Sequence, residues 1–164
     1  MEKRYEFDEV SVLSALAVGE PGKRTFFLAV GRGAEWVRVW LEKGELQAVA
    51  LAIRQLLSTL SRSRSVSRDE TTQESEAPSR LPAAEMEIQE ISLGFDGEMA
   101  TLDAIVRVLG PQRLDRAVLH YRTTLARLKQ LGTQAEKVCA AGRPRCPLCG
   151  GPIDPGGHIC PMNN

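Results

Sequence analysis

Aromatic side chains are scarce in this chain, with two Trp, two Tyr and four Phe among 164 residues. That leaves little material for the aromatic stacking platform on which single-stranded nucleic acid is usually held. Net charge is also lacking. Lys+Arg and Asp+Glu each number 21, so no overall electrostatic pull towards nucleic acid or membrane exists. No apolar run approaches the length of a membrane span. The opening Met1-Glu2-Lys3-Arg4-Tyr5-Glu6 is charged and has no apolar segment of a secretory leader, so none is expected.

Histidine is limited to His120 and His158. A lone His120 on a predicted strand, without a neighbouring nucleophile or paired carboxylates, makes no catalytic constellation. No Gly-rich loop opens a helix, so the usual phosphate cradle is missing. Arg24-Thr25 after Gly19-Glu20-Pro21-Gly22 reads as part of a hairpin turn, and Glu42-Lys43 as a solvated pair or cap. Cysteine is sparse too, and three of the four lie close together near the C-terminal end. That clustering suits metal binding in a reducing cytoplasm better than a disulfide framework.

What the chain does have is most legible in that tail. Cys146-Pro147-Leu148-Cys149 is a knuckle with two residues between its thiols, and His158-Ile159-Cys160 follows after eight further residues. Three thiolates and one imidazole can close a tetrahedral shell around Zn2+. The intervening Gly151-Pro152-Ile153-Asp154-Pro155-Gly156-Gly157 is turn chemistry and cannot build an apolar core, so a metal is the natural staple. A redox pair of Cys146 and Cys149 is the competing reading, but such pairs sit at helix N-termini in β-α units rather than in Gly/Pro tails. Four protein ligands leave no open position for a substrate, so Cys146, Cys149, His158 and Cys160 are expected to hold a structural zinc. Cys139, on the apolar face of a predicted helix, is expected to be a small buried hydrophobe.

Ahead of the tail, hydrophobic periodicity sets out two similar halves. Residues 10–18, 24–30 and 36–41 read as strands. Alternation puts Val37, Val39 and Leu41 on one face of the third strand and Trp36, Arg38 and Trp40 on the other. Leu46, Val49, Ala50, Ile53, Leu56, Leu57 and Leu60 then recur at helical period. Residues 61–82 start with the run Ser61-Arg62-Ser63-Arg64 and turn acidic, with too few apolar residues to repay ordering. They are expected to be a disordered linker, with nucleic-acid binding or phosphorylation as the competing reading.

The second half reads as strands over 87–95, 98–108 and 117–122, with an Asp96-Gly97 turn between the first two. A helix from Leu125 to Cys139 follows, with Thr123 or Thr124 as its N-cap and Gly132 as an internal weakness. The expected fold is α+β. Two βββα units, residues 1–60 and 83–142, form an antiparallel sheet covered by a helix on each half. A zinc-ribbon-like tail occupies 143–164.

These residues resemble a known family. The segments Gly19-Glu20-Pro21-Gly22-Lys23-Arg24-Thr25-Phe26-Phe27-Leu28, Leu41-Glu42-Lys43, Leu93-Gly94-Phe95-Asp96 and Ala141-Gly142-Arg143-Pro144-Arg145-Cys146-Pro147-Leu148-Cys149-Gly150 carry the likeness. So do Asp154-Pro155 and Gly157-His158-Ile159-Cys160-Pro161. Together they resemble the uncharacterised, mainly actinobacterial family named domain of unknown function 3090. The resemblance implies cytoplasmic proteins of unassigned activity, often encoded near a histidine-type phosphatase and a kinase-like protein. The Ser/Arg linker and Cys139 depart from its usual pattern.

Three functions follow as expectations. The first is a non-enzymatic binding or adaptor protein with a protein partner and structural Zn2+. The second is single-stranded nucleic-acid binding through Trp36, Arg38 and Trp40, with His120 and Arg122 from the equivalent strand and Arg143 and Arg145 from the tail. The third is an enzyme with an unrecognised site between the halves. A membrane partner is not expected.

Overall fold

The computed structural model describes residues 3–20, 23–61 and 77–140. Nine elements follow in order: β1 (Lys3–Phe7), β2 (Val12–Val18), β3 (Thr25–Arg32), β4 (Glu35–Leu41), α1 (Lys43–Ser61), β5 (Ala84–Phe95), β6 (Ala100–Val108), β7 (Leu114–Thr123) and α2 (Leu125–Ala140). The α+β class is therefore as expected. The Ser/Arg run and the whole zinc tail lie outside the described residues.

All seven strands join one sheet in the order β1-β7-β6-β5-β4-β3-β2. The antiparallel expectation needs correcting, because β4 pairs with β5 and β1 pairs with β7 in parallel. The first follows from chain geometry. A helix stands between β4 and β5, and a crossover of that length returns the chain to run beside the strand it left in the same direction. The second arises because β1, absent from the sequence-based assignment, adds itself to the edge of β7.

A flat sheet of seven strands would hold its edges about 29 Å apart, at 4.8 Å per gap. Yet β1 and β2, the two edges, are consecutive. Five Cα steps from Phe7 to Val12 reach about 19 Å at most. The sheet must curl until its edges approach, and two backbone hydrogen bonds mark the seam. The Val10 N–H donates to the Arg122 carbonyl of β7 at 3.0 Å, and the Ser11 N–H donates to the Gly31 carbonyl of β3 at 2.9 Å. Adjacent residues thus tie together strands from opposite sides of the sheet. From α2, Arg127 Nη1 donates to the Ser11 carbonyl at 3.0 Å, and Gln134 Oε1 accepts the outward N–H of Ala15 in β2 at 3.2 Å. The α2 helix thereby closes a backbone edge that would otherwise seek another strand.

Both helices share one core with one face of the sheet. Leu46, Val49, Ala50 and Ile53 of α1 and Leu128, Leu131, Ala135 and Cys139 of α2 are buried there. They meet Phe26, Leu28 and Val30 of β3, Val37, Val39 and Leu41 of β4, and the full alternate set Ala100, Leu102, Ala104, Val106 and Val108 of β6. Each large apolar side chain so buried stabilises by about 1.5–3 kcal/mol. The helices do not each cover their own half. While α1 lies over β3 and β5, α2 packs on α1 and on β2 of the first half. At the start of α2, Thr124 Oγ1 accepts the Arg127 N–H at 3.2 Å and serves as the N-cap.

Candidate functional site

Since both helices lie on one face, the other face is where the polar side chains of the strands are left uncovered by a helix. Its residues are fixed by register. Across β2, β3, β4 and β5, one row is Leu16, Phe27, Trp40 and Glu87, and the next is Ser14, Ala29, Arg38 and Glu85. A third row is Val12, Gly31 and Trp36. Trp36, Arg38 and Trp40 therefore share this face.

The aromatic half is built around Arg38. Its guanidinium carbon lies 5.0 Å from the Phe27 ring centroid and 5.4 Å from those of Trp36 and Trp40. These are cation–π distances on three sides. Arg38 Nη1 donates to Glu85 Oε1 at 2.9 Å, while its Nε is buried without a partner. Trp40 meets Phe27 edge-on, with centroids 5.2 Å apart and planes at 63°. Trp36 is only 1% exposed. It crosses β3 at Gly31, where no side chain is in the way, and its indole Nε1 donates to the Arg80 carbonyl at 2.9 Å. Residues 80–83, leading into β5, are thereby held against β4, and the Ala83 N–H donates to the Trp36 carbonyl at 2.8 Å. A ring so covered is unavailable for stacking on a base. Phe27 was missed in the sequence. Its signal was the adjacent Phe26-Phe27 pair, which must point to opposite faces of a strand.

The other half, on β5, β6, β7 and β1, is charged and internally paired. His120 Nδ1 donates to Asp103 Oδ1 at 2.6 Å. Arg122 donates through Nε and Nη2 to Asp96 Oδ2, at 3.0 and 2.6 Å, and stands 3.7 Å from Asp8. Arg107 faces Glu87 at 3.9 Å. Asp96 has a second task, because its Oδ1 accepts the N–H groups of Glu98 and Met99 and shapes the turn between β5 and β6. Gly97 in that turn has φ 99°. Those backbone donors, together with Arg122, hold the Asp96 carboxyl down at about 2, and Asp96 in turn raises the Arg122 guanidinium.

His120 and Arg122 lie on the same face as Arg38, but β5 and β6 separate β7 from β4. The aromatic and basic groups expected to form one surface therefore do not converge on one spot. The paired carboxylates Glu85, Asp96 and Asp103 carried no signal of their own, since each pairing needs strands whose register the sequence does not display.

Among the described residues no set of three His, Cys, Asp or Glu side chains could hold a metal ion. Cys139 is a free thiol within the helix-side core, and burial raises its pKa. The expected ligands Cys146, Cys149, His158 and Cys160, with Arg143 and Arg145, lie outside the described residues. As a donor set, three thiolates and an imidazole fit Zn2+ by charge, softness and number. No helix among the described residues is long and apolar enough to cross a membrane.

A sequence profile of a family described as "protein of unknown function (DUF3090)" matches residues 5–160. No curated protein and no solved structure matches the chain.

Proposed function

This chain belongs to the DUF3090 family, and on that premise we propose that it is a non-enzymatic binding or adaptor protein of the cytoplasm, with zinc as a structural element of its tail. The observation that supports this most is the pairing on the helix-free face. Arg38 is matched by Glu85, Arg107 by Glu87, His120 by Asp103 and Arg122 by Asp96. Such a face is close to charge-neutral, which suits contact with another protein better than proton transfer. The same pairing weighs against the nucleic-acid reading, because a guanidinium engaged with a carboxylate releases few counterions on meeting a phosphate. The enzyme reading finds no nucleophile hydrogen-bonded to His120 among the described residues.

Zinc in the tail is supported by the donor set alone, and the cytoplasm by thiols suited to a reducing compartment. The repeated order β-β-β-α in residues 12–61 and 84–140 supports an internal duplication. Affinity capture from native lysate tests the function, comparing the full chain with one stopped after Gly142, each with and without nuclease. A protein captured by the full chain, lost with the tail and indifferent to nuclease, is the expected result. Recovery of nuclease-sensitive RNA or DNA would replace this reading with the second one.

A further inference from the structure

One end of the helix-free face is apolar. Leu16, Phe27 and Trp40 form a row across β2, β3 and β4, and Val18, 53% exposed, stands beyond it at the end of β2. Leu16 and Trp40 are half-buried. No helix or strand among the described residues packs on them. Glu87, in register with Trp40, and Glu90 border the row and are exposed.

The chain beyond α2 starts at this same end of the sheet. Gly132, midway along α2, faces Ile53, midway along α1, and Cys139, near the end of α2, lies in the field of Lys43, the first residue of α1. Rising numbers in α2 thus meet falling numbers in α1, so the helices run antiparallel and α2 ends beside the start of α1. That start follows directly on β4, where Trp40 is the penultimate residue. Residues 141–164 therefore set out from the edge of the apolar row. Rounding a sheet edge of about 10 Å takes only three or four extended residues. The segment has apolar side chains in Leu148, Ile153, Ile159 and Met162, too few for a core of its own. It opens with Arg143 and Arg145, opposite in sign to Glu87 and Glu90.

We propose that residues 143–164 are the cover of this face, with their apolar side chains on Leu16, Val18 and Trp40 and with Arg143 and Arg145 against Glu87 and Glu90. The contact is intramolecular and independent of any partner, so its failure would leave the adaptor reading standing, and the reverse also holds.

Acrylamide quenching of the full chain carrying W36F tests it, since Trp40 is then the sole indole. Trp40 should be protected. R143E/R145E in the same full chain should raise its quenching constant by about two-fold, as expected when a half-covered ring is uncovered. Adding E87K/E90K should restore protection, which a general loss of folding would not allow. Where W36F does not fold, the indole 19F resonances of the chain labelled with fluorotryptophan give the same comparison with both rings in place. Quenching equal to that of a free indole, or unmoved by R143E/R145E, would overturn the proposal. Protection that disappears on dilution would also overturn it, by assigning the cover to a second copy of the chain.

Discussion

Gly132 of α2 lies directly against Ile53 of α1, where a Cβ would meet Ile53 Cγ2 at 2.9 Å. Gly132 weakened the helix as read from sequence, yet here it sets how closely two helices approach. Gly132→Ala adds helix propensity of about 1 kcal/mol but overpacks a buried contact at a cost of about 1–3 kcal/mol. A net loss of about 1 kcal/mol is expected in urea denaturation. Ile53→Ala alone should cost about 2–5 kcal/mol. The double variant should lose less than the two singles together by about 1 kcal/mol, and strict additivity would refute the contact.

Gly31 is the second glycine held by packing. A Cβ there would collide with the Glu35 carbonyl oxygen and come within 2.5 Å of Trp36 Cβ. Backbone cannot rotate out of the way as a flexible side-chain end can. Gly31→Ala is expected to destabilise by about 3 kcal/mol and to loosen Trp36, read as a red shift of indole emission. An alanine variant as stable as the parent would show that β3 and β4 separate more easily than their pairing suggests.

Acid should act through Asp96. Its folded pKa of about 2 lies below the ordinary value of 3.8. A depressed carboxyl contributes stability that is fully present above the unfolded value and is lost as pH falls through the folded one. The loss therefore falls between pH 3.8 and about 2. Asp96→Asn keeps an oxygen for the Glu98 and Met99 amides but removes the charge that Arg122 engages. The urea midpoint of the variant should fall less steeply than that of the parent over this window. Parallel slopes would remove Asp96 as a source of acid sensitivity.

The Tyr121 hydroxyl is buried without a hydrogen-bond partner, and desolvation drives its pKa upward. An unsatisfied buried hydroxyl costs about 1–3 kcal/mol, so Tyr121→Phe should leave stability unchanged or raise it by up to about that amount. Thermal denaturation gives the answer. A clear drop in Tm would mean that the hydroxyl is bonded, for instance to an internal water.

Zinc content separates tail from body. The full chain should carry about one zinc, and Cys146→Ser or Cys149→Ser should weaken its retention against a chelator. Chelation should speed proteolysis within 143–164 while leaving the circular dichroism of α1 and α2 unchanged. Loss of the helical signal together with the metal would mean that body and tail fold as one unit.

Local periodicity carried most of the fold. The α1 stripe from Leu46 to Ile53 and the β6 alternation from Ala100 to Val108 are core-facing as their spacing requires. What stayed hidden depends on pairing between distant strands. In β1, Tyr5 and Phe7 do alternate with Arg4 and Glu6, but a five-residue strand with three charged side chains carries a weak signal, and the partner that fixes it is β7. The parallel β4–β5 ladder is likewise set by the crossover through α1. At the candidate site, strand alternation placed Trp36, Arg38 and Trp40 together. It could not show that Glu85 answers Arg38, nor that Arg80 accepts from Trp36, because both partners lie across the α1 crossover.

The seam at Val10 and Ser11 also fixes an order of events during synthesis. Lys3 pairs with Ala117, which is made long after it, and Arg122, which receives Val10, is made later still. The sheet can close only once β7 has emerged. Until then β2, β3, β4 and α1 must wait as a half-built layer with the Ile53 surface bare, which is the kind of exposed intermediate that chaperones attend. A nascent chain stalled before β7 should therefore be held by such factors and released by the residues that complete the circle.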